Sequence, residues 1–348
     1  MLRRGLTVLA AVALAAWAPH EDDWGQQKEW AAGYGESQAI CRSVAGKRVP
    51  AADVADARRA APGLKDCDEE ALYYGIGMRA DPVKARQCAI LKSPDAGGEA
   101  ESHFEGEELL MVIYANGSGV ARDLDLAMHL SCGLQAAPAE HQGRIDSLTA
   151  MKRKPDGKPF HFCQDITSGY AMGVCAAHDQ RFALAKREAA FARATANFTP
   201  TQRQAFAALE KAAQAYADAR AGSETDLSGT GRGAFAIEEE EARWTAFEAL
   251  LAQLAAGRMP ATTAAQAQAA DTRLNATYRK LMTGAWPEYG TVTSNGVRET
   301  ERVWIRYRDA WLAFARAAYP AAPQAAVAAH LTRERTKLLE ELLPDPAS

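Results

Sequence analysis

The sequence predicts an all-α protein. Its 348 residues are rich in alanine, leucine, glutamate, arginine and glutamine, which favour helix. Long stretches lack glycine and proline, and their apolar residues recur at helical spacing rather than in alternation. Breaker clusters mark the connections: residues 152–159, 222–233, 257–263 and 286–296. We expect a short N-terminal α-solenoid of helix-turn-helix repeats, followed by two small disulfide-linked or helical-bundle units.

Residues 1–18 have the features of a secretory signal peptide. Arg3 and Arg4 precede an apolar stretch, 6–16, and small residues follow. This stretch is too short to cross a bilayer as a helix. We therefore expect a protein exported to the periplasm, with cleavage after Ala18 or Ala15.

The charge balance argues against two classes of partner. Forty basic residues face 44 acidic ones, a net charge of −4, and loss of the leader would remove two of the arginines. Nucleic acids and anionic membrane surfaces both favour a basic protein face. We expect neither nucleic-acid binding nor membrane insertion.

Six cysteines are concentrated before residue 176. They are Cys41, Cys67, Cys88, Cys132, Cys163 and Cys175. An even number of cysteines in an exported chain favours disulfides, and the absence of a C-x-x-C motif weakens thioredoxin-type and zinc-ribbon interpretations.

Residues 24–155 contain an internal repeat. Four residues of the first copy recur in order in the second: Gly75, Gly77, Asp81 and Ala85, then Gly117, Gly119, Asp123 and Ala127. The pattern predicts a helix, a Gly-x-Gly turn, an aspartate cap and a second helix. The segment 114–132 resembles the Sel-one-like repeat, a relative of the tetratricopeptide repeat. That resemblance implies an α-solenoid that binds other proteins.

The remaining sequence divides into two similar pieces, 160–257 and 262–343, which we interpret as a tandem duplication. In each piece an aromatic residue precedes an arginine by one helical turn: Tyr216 and Arg220, then Trp304 and Arg308.

The segment "VWIRYRDAWLAF" at 303–314 predicts an amphipathic helix with an aromatic stripe. The aromatic residues on one face are Trp304, Tyr307, Trp311 and Phe314. Arg308 shares this face and needs a partner, whereas Arg302, Arg306 and Asp309 point the other way.

Several motifs in this region occur in a characteristic order. They are Cys163-x11-Cys175, "LNATYRKL" at 274–281, "WIRYRDA" at 304–310 and "LTRERT" at 331–336. Together they resemble the lysozyme inhibitor LprI-like family of exported bacterial proteins, over about 162–343. Two positions depart from the family, because Leu312 and Val327 stand where many relatives carry further cysteines.

This resemblance implies structural roles for several residues. Tyr278, Trp304, Tyr307 and Trp311 form the structural motif, with the aromatic stripe packed against Leu274, Tyr278 and Leu281. It also implies a disulfide between Cys163 and Cys175. The flanking His161 and His178 leave a zinc site as the alternative. The pairing of the other four cysteines stays open.

A contact surface is the second implication. We expect Arg308, Arg333 and Arg335 to contribute to it. The alternative for Arg308 is a structural ion of the core that pairs with a carboxylate or a helix end. Lysozymes of the c type are basic proteins with an acidic cleft, so an acidic inhibitor could be steered to them and place a cationic side chain there.

Catalytic signatures are missing from the sequence. H-E-x-x-H, G-x-S-x-G and S-x-x-K do not occur, and the acidic run 238–241 is typical of a solvated helix. We therefore expect no catalytic residue, metal or cofactor. The leading hypothesis is a periplasmic inhibitor of lysozyme-type peptidoglycan hydrolases. The alternatives are an immunity protein that binds a secreted cell-wall or lipid-attacking toxin, and an envelope assembly adaptor.

Overall fold

The computed structural model describes residues 23–98, 103–154, 157–259, 261–284 and 290–343. The predicted signal peptide at 1–18 lies outside these ranges. The described residues form thirteen α-helices and no strand, which confirms the all-α prediction. Two compact units are present: Met1–Tyr73 with Asp81–Phe162, and Tyr74–Ala80 with Cys163–Ser348.

The described residues of the first unit contain seven α-helices. They are α1 (Ala31–Val44), α2 (Ala51–Ala60), α3 (Glu69–Tyr74), α4 (Pro82–Leu91), α5 (Gly106–Asn116), α6 (Leu124–Gly133) and α7 (Pro138–Arg153). Helices α4 to α7 pack in sequence, each on the next, and α1 packs on α6 and α7. Helix α5 is the most deeply buried of these, with Leu109, Leu110 and Ile113 inaccessible to solvent.

Two helix pairs, α3 with α4 and α5 with α6, repeat the same local geometry. The Asp81 carboxylate accepts a hydrogen bond from the Lys84 amide at 3.1 Å, and Asp123 accepts one from Leu126 at 2.9 Å. The turn glycines all have a positive φ: Gly75, Gly77, Gly117 and Gly119. The paired helices therefore have the caps and turns that the repeat predicts, whereas the Sel-one-like resemblance itself stays a prediction.

Two disulfides bind the first unit together. Cys41 of α1 pairs with Cys132 of α6, and Cys67 pairs with Cys88 of α4. The first bridge joins residues separated by 91 positions, so it ties the N-terminal helix to the last helices of the unit. The sequence alone does not specify this pairing.

Six longer helices lie within the described residues of the second unit. They are α8 (Gly169–Thr195), α9 (Pro200–Ser223), α10 (Arg232–Ala255), α11 (Ala264–Thr283), α12 (Ser294–Ala318) and α13 (Gln324–Glu340). Helix α8 packs on α10 and α11 on α13, while α9 packs along α12. Helices α8 to α10 form a first group of three and α11 to α13 a second, and in each group the first helix packs on the third.

The two predicted pieces at 160–257 and 262–343 share one hydrophobic core. Phe206, Phe247 and Leu250 of the first piece belong to the same buried cluster as Trp311 and Phe314 of the second. The expectation of two separate small units therefore needs correction. The α9 and α12 helices bury their apolar faces against each other, so neither group of three helices closes its own core.

Candidate partner-binding surface

Helix α12 carries the aromatic motif of the C-terminal region. It begins where the Thr293 side chain accepts a hydrogen bond from the Gly296 amide at 3.1 Å. Its aromatic side chains lie in the core, with exposed fractions of 2% or less for Trp304, Trp311 and Phe314 and 7% for Tyr307. The stripe is therefore not available to a partner.

The stripe packs mainly against the first group of helices. Tyr307 stacks on Tyr216 of α9 with ring centroids 5.0 Å apart, and Trp311 lies 4.8 Å from Phe247 of α10. Phe314 lies 5.4 Å from Phe206 of α9. The expected neighbours Leu274 and Leu281 belong to the same buried cluster and Tyr278 packs against its edge, but α11 packs chiefly on α13.

Arg335 does not lie on the surface where sequence analysis expected it. Arg335 is only 1% exposed. Its Nη1 and Nη2 atoms donate hydrogen bonds to the two carboxylate oxygens of Glu224, at 2.7 and 2.6 Å respectively. Its Nε atom donates to Glu301 at 2.8 Å. The prediction that Arg335 meets a partner is therefore wrong, because the guanidinium is fully used inside the unit.

The ion pairs of Arg335 extend into a buried network across four helices. Arg220 donates to Glu224 at 2.6 Å and to Glu239 at 2.7 Å, and Arg243 lies 3.0 Å from the Glu239 carboxylate. Three arginines and three glutamates thus balance in charge: Arg220, Arg243, Arg335, Glu224, Glu239 and Glu301. A buried charge is tolerated only when it is paired in this way.

Burial and pairing act in opposite directions on the titration of this network. Burial raises the pKa of Glu301 above its usual value, although Arg335 acts to lower it. Burial alone would lower the pKa of Arg335, but nearby Tyr216 and the hydrogen-bonded Glu224 raise it above its usual value. Arg335 therefore stays charged at every physiological pH.

Arg308 and Arg333 are accessible, unlike Arg335. The Arg308 side chain is 30% exposed, pairs with the neighbouring Asp309 at 2.9 Å and lies 5.4 Å from the centre of the Trp304 ring. Arg333 is exposed on α13. Arg308 is thus neither a buried ion nor an unpaired cation.

The supposed equivalence of Arg220 and Arg308 is also wrong, because Arg220 is 3% exposed and belongs to the buried network. The buried positions of α9 and α12 correspond when Tyr216 is matched with Tyr307, and Arg220 then matches Trp311. The sequence match was shifted by about one helical turn.

The opposite side of α12 had no role predicted from the sequence. Four arginines line it, and we call this set the arginine face: Arg298, Arg302, Arg306 and Arg316. Ile305 lies among them with 39% of its surface exposed. The helical spacing that placed Arg302 and Arg306 away from the core was the signal available in the sequence.

Cys163, which precedes α8, forms a disulfide with Cys175 inside that helix, as the family resemblance implied. This bridge uses the thiols that the zinc alternative with His161 and His178 required. No cluster of potential metal ligands occurs among the described residues. Within the same described ranges, no helix is long and apolar enough to cross a membrane.

The segment that contains α11 to α13 and their buried motif is similar to a known family. Residues 252–339 match the family model of the lysozyme inhibitor LprI. We call this segment the LprI region. It contains the aromatic stripe, Arg335 and the arginine face, and it excludes the Cys163–Cys175 disulfide. Neither the curated proteins nor the solved structures contain a match to the chain.

Proposed function

We propose that this chain is an exported protein-binding protein that inhibits a lysozyme-type peptidoglycan hydrolase. The observation that carries the proposal is the match of residues 252–339 to a family of lysozyme inhibitors. An inhibitor acts by binding, so the proposal requires a stable surface rather than catalytic groups. The buried network and aromatic core of the second unit supply the rigid support for such a surface.

The cysteine chemistry supports a site of action outside the cytoplasm. All three disulfides are formed and no described cysteine is free. Such bridges persist in oxidising compartments, the periplasm among them. An enzyme that hydrolyses the cell wall acts in that compartment, where the chain could bind it.

A lysozyme turbidity assay tests the proposal. The full chain without residues 1–18, purified with its disulfides intact, is mixed with c-type, g-type and phage-type lysozymes before bacterial cell walls are added. We expect the chain to slow the clearing of the cell-wall suspension in a dose-dependent way for at least one lysozyme type. Inhibition should be complete near equal molar amounts of chain and enzyme. The same chain after reduction and unfolding is the control. Unchanged clearance by every lysozyme at a large excess of folded protein would contradict the proposal.

The first unit favours immunity to a secreted toxin as a second candidate function. Its repeated helix pairs, with caps at Asp81 and Asp123, have the local geometry expected of protein-binding repeats. An immunity protein forms a stable complex with a toxin encoded beside it. Size-exclusion chromatography of the chain with its neighbouring gene product would test this candidate, and two separate peaks would count against it.

A further inference from the structure

We propose that the arginine face of α12 docks in the acidic cleft of the hydrolase. This inference rests on the proposed function and names the surface that performs it. The partner chemistry is a cleft lined by carboxylates in a protein that is basic overall.

The guanidinium groups of the face are available for binding. Arg302, Arg306 and Arg316 are exposed and form no ion pair or side-chain hydrogen bond with the described residues. Arg298 donates only to the neutral side chain of Asn295. An unpaired guanidinium keeps its planar set of donors for a carboxylate, which it can bind through two parallel hydrogen bonds.

The buried arginines of the same unit behave differently. Arg187, Arg220 and Arg335 each bind two glutamates. The buried arginines of the second unit therefore form ion pairs that stabilise its fold, whereas the arginine face contributes no such ion pair through Arg302, Arg306 or Arg316 within the described part of the chain.

Acidic neighbours leave the face positively charged. Asp309 lies on the same side of α12, but its carboxylate is already paired with Arg308 at 2.9 Å. Glu299 borders the face and is exposed. Along the described length of α12, four arginines thus share this side with Glu299 and the paired Asp309.

The fold itself does not require this surface. Helix α9 buries its residues in the same pattern as α12, with Tyr216 at the position of Tyr307. The exposed α9 positions that correspond to Arg302, Ile305 and Arg306 are Lys211, Gln214 and Ala215. Because α9 has a similar burial pattern without arginines at these positions, the fold does not account for Arg302 and Arg306, and their presence on α12 points to binding.

The charges of the whole chain select an acidic cleft over other anions. With a net charge of −4, the chain as a whole is repelled by nucleic acids and anionic membranes. A basic hydrolase attracts the same chain, and its acidic cleft then attracts the arginine face. The exposed Ile305 adds an apolar contact, and arginine beside apolar side chains is typical of protein interfaces.

Charge reversal in the full, oxidised chain tests the inference. Arg302→Glu with Arg306→Glu is compared with Lys211→Glu at the corresponding position of α9, with a c-type lysozyme as the probe. We expect the double variant to bind on the order of 30-fold more weakly, with unchanged thermal unfolding. The Lys211 control should bind about as well as wild type. The conservative pair Arg302→Lys and Arg306→Lys should restore part of the affinity.

Competition locates the docking site on the enzyme. A chito-oligosaccharide that fills the lysozyme cleft should displace the wild-type chain. A complex that forms equally well on the sugar-filled enzyme would overturn the docking of the face in the cleft.

The outcomes separate this inference from the proposed function. Absence of wild-type binding to every lysozyme overturns both. If the wild type inhibits and the double charge-reversal variant inhibits equally well, the docking of the arginine face is overturned and the proposed function stands. Binding of wild type to phosphatidylglycerol vesicles but not to lysozyme, lost on charge reversal, would assign the face to anionic lipid and likewise overturn it.

Discussion

Arg220 and Arg335 donate to the same buried carboxylate, that of Glu224. The Arg220 Nη1 atom lies 2.6 Å from Oε2, and the Arg335 Nη2 atom lies 2.6 Å from Oε1. Because Arg220 and Glu224 belong to the end of α9 and Arg335 to α13, this carboxylate joins the two groups of three helices. The stability of the LprI region therefore depends on a residue outside the match.

Replacing Arg335 should destabilise the second unit strongly. In Arg335→Met, Glu224 and Glu301 lose a buried partner, so we expect the free energy of unfolding to fall by about 3 to 5 kcal/mol. Arg333→Met, two residues away and exposed, should change it by less than about 0.5 kcal/mol. Urea unfolding followed by circular dichroism measures both. Equal stability of the two variants would contradict the role of the network.

His141 should make the first unit less stable in acid. Its side chain is buried against Trp24, with ring centroids 4.6 Å apart, and burial together with Arg144 lowers its pKa to about 4. The unfolded chain takes up the proton near pH 6.5, so this contribution is present above that pH and is lost as the pH falls toward 4. The loss is about 3 kcal/mol. Urea unfolding between pH 7 and 4.5 should show that the free energy of unfolding of His141→Phe falls less steeply with falling pH than that of the wild type.

His103 provides a control of opposite sign. Its hydrogen bond to Glu108, 2.9 Å long, raises its pKa. Its contribution is therefore present at low pH and lost as the pH rises through the raised pKa. In His103→Gln, the free energy of unfolding should fall more steeply with falling pH than in the wild type. A less steep fall would refute the stabilising role of the protonated His103.

The two disulfides of the first unit should differ in their effect. Cys41–Cys132 closes a much longer loop than Cys67–Cys88. In the chain-entropy account, replacing the first pair by serine should cost about 4 to 5 kcal/mol and the second about 3 kcal/mol. Calorimetry of the paired serine variants measures this order. Serine at Cys163 and Cys175 should instead affect the unfolding of the second unit.

Gly119 should tolerate alanine less well than Gly97. Both have a positive φ, so each alanine costs about 1 to 2 kcal/mol in backbone strain. A Cβ at Gly119 would also lie 3.0 Å from the Val83 amide nitrogen, whereas one at Gly97 would meet nothing within 4 Å. We expect about 1 to 3 kcal/mol of further loss for Gly119→Ala. Thermal unfolding of the two variants gives the difference, and equal shifts would be inconsistent with close packing at Gly119.

Local features of the fold could be predicted because they depend on residues close in sequence. The caps at Asp81 and Asp123 follow from an aspartate before a helix, and the turn glycines follow from the need for a positive φ. The aromatic stripe of α12 follows from helical periodicity. Its family motif lies within the region that matches LprI.

The burial of Arg335 is indicated by the helical spacing of α13, although the sequence-based prediction placed this residue on the surface. Leu331, Leu338 and Leu339 are buried on α13, and helical spacing puts Arg335 on their side and Arg333 away from it. That spacing predicts burial but names no partner. Glu224 lies on another helix, so only the packing of α9 against α12 and α13 brings it to Arg335.

The sequence by itself determined the helical class, the turns and caps of the paired helices and the motif shared with LprI. These depend on short-range geometry or on a pattern that is read along the chain. Only the tertiary structure decided that six helices share one core, that Cys41 joins Cys132 and that Arg335 is buried while the arginine face of α12 is exposed. Burial and pairing are set by which helix faces meet, and periodicity along one helix does not specify its neighbour.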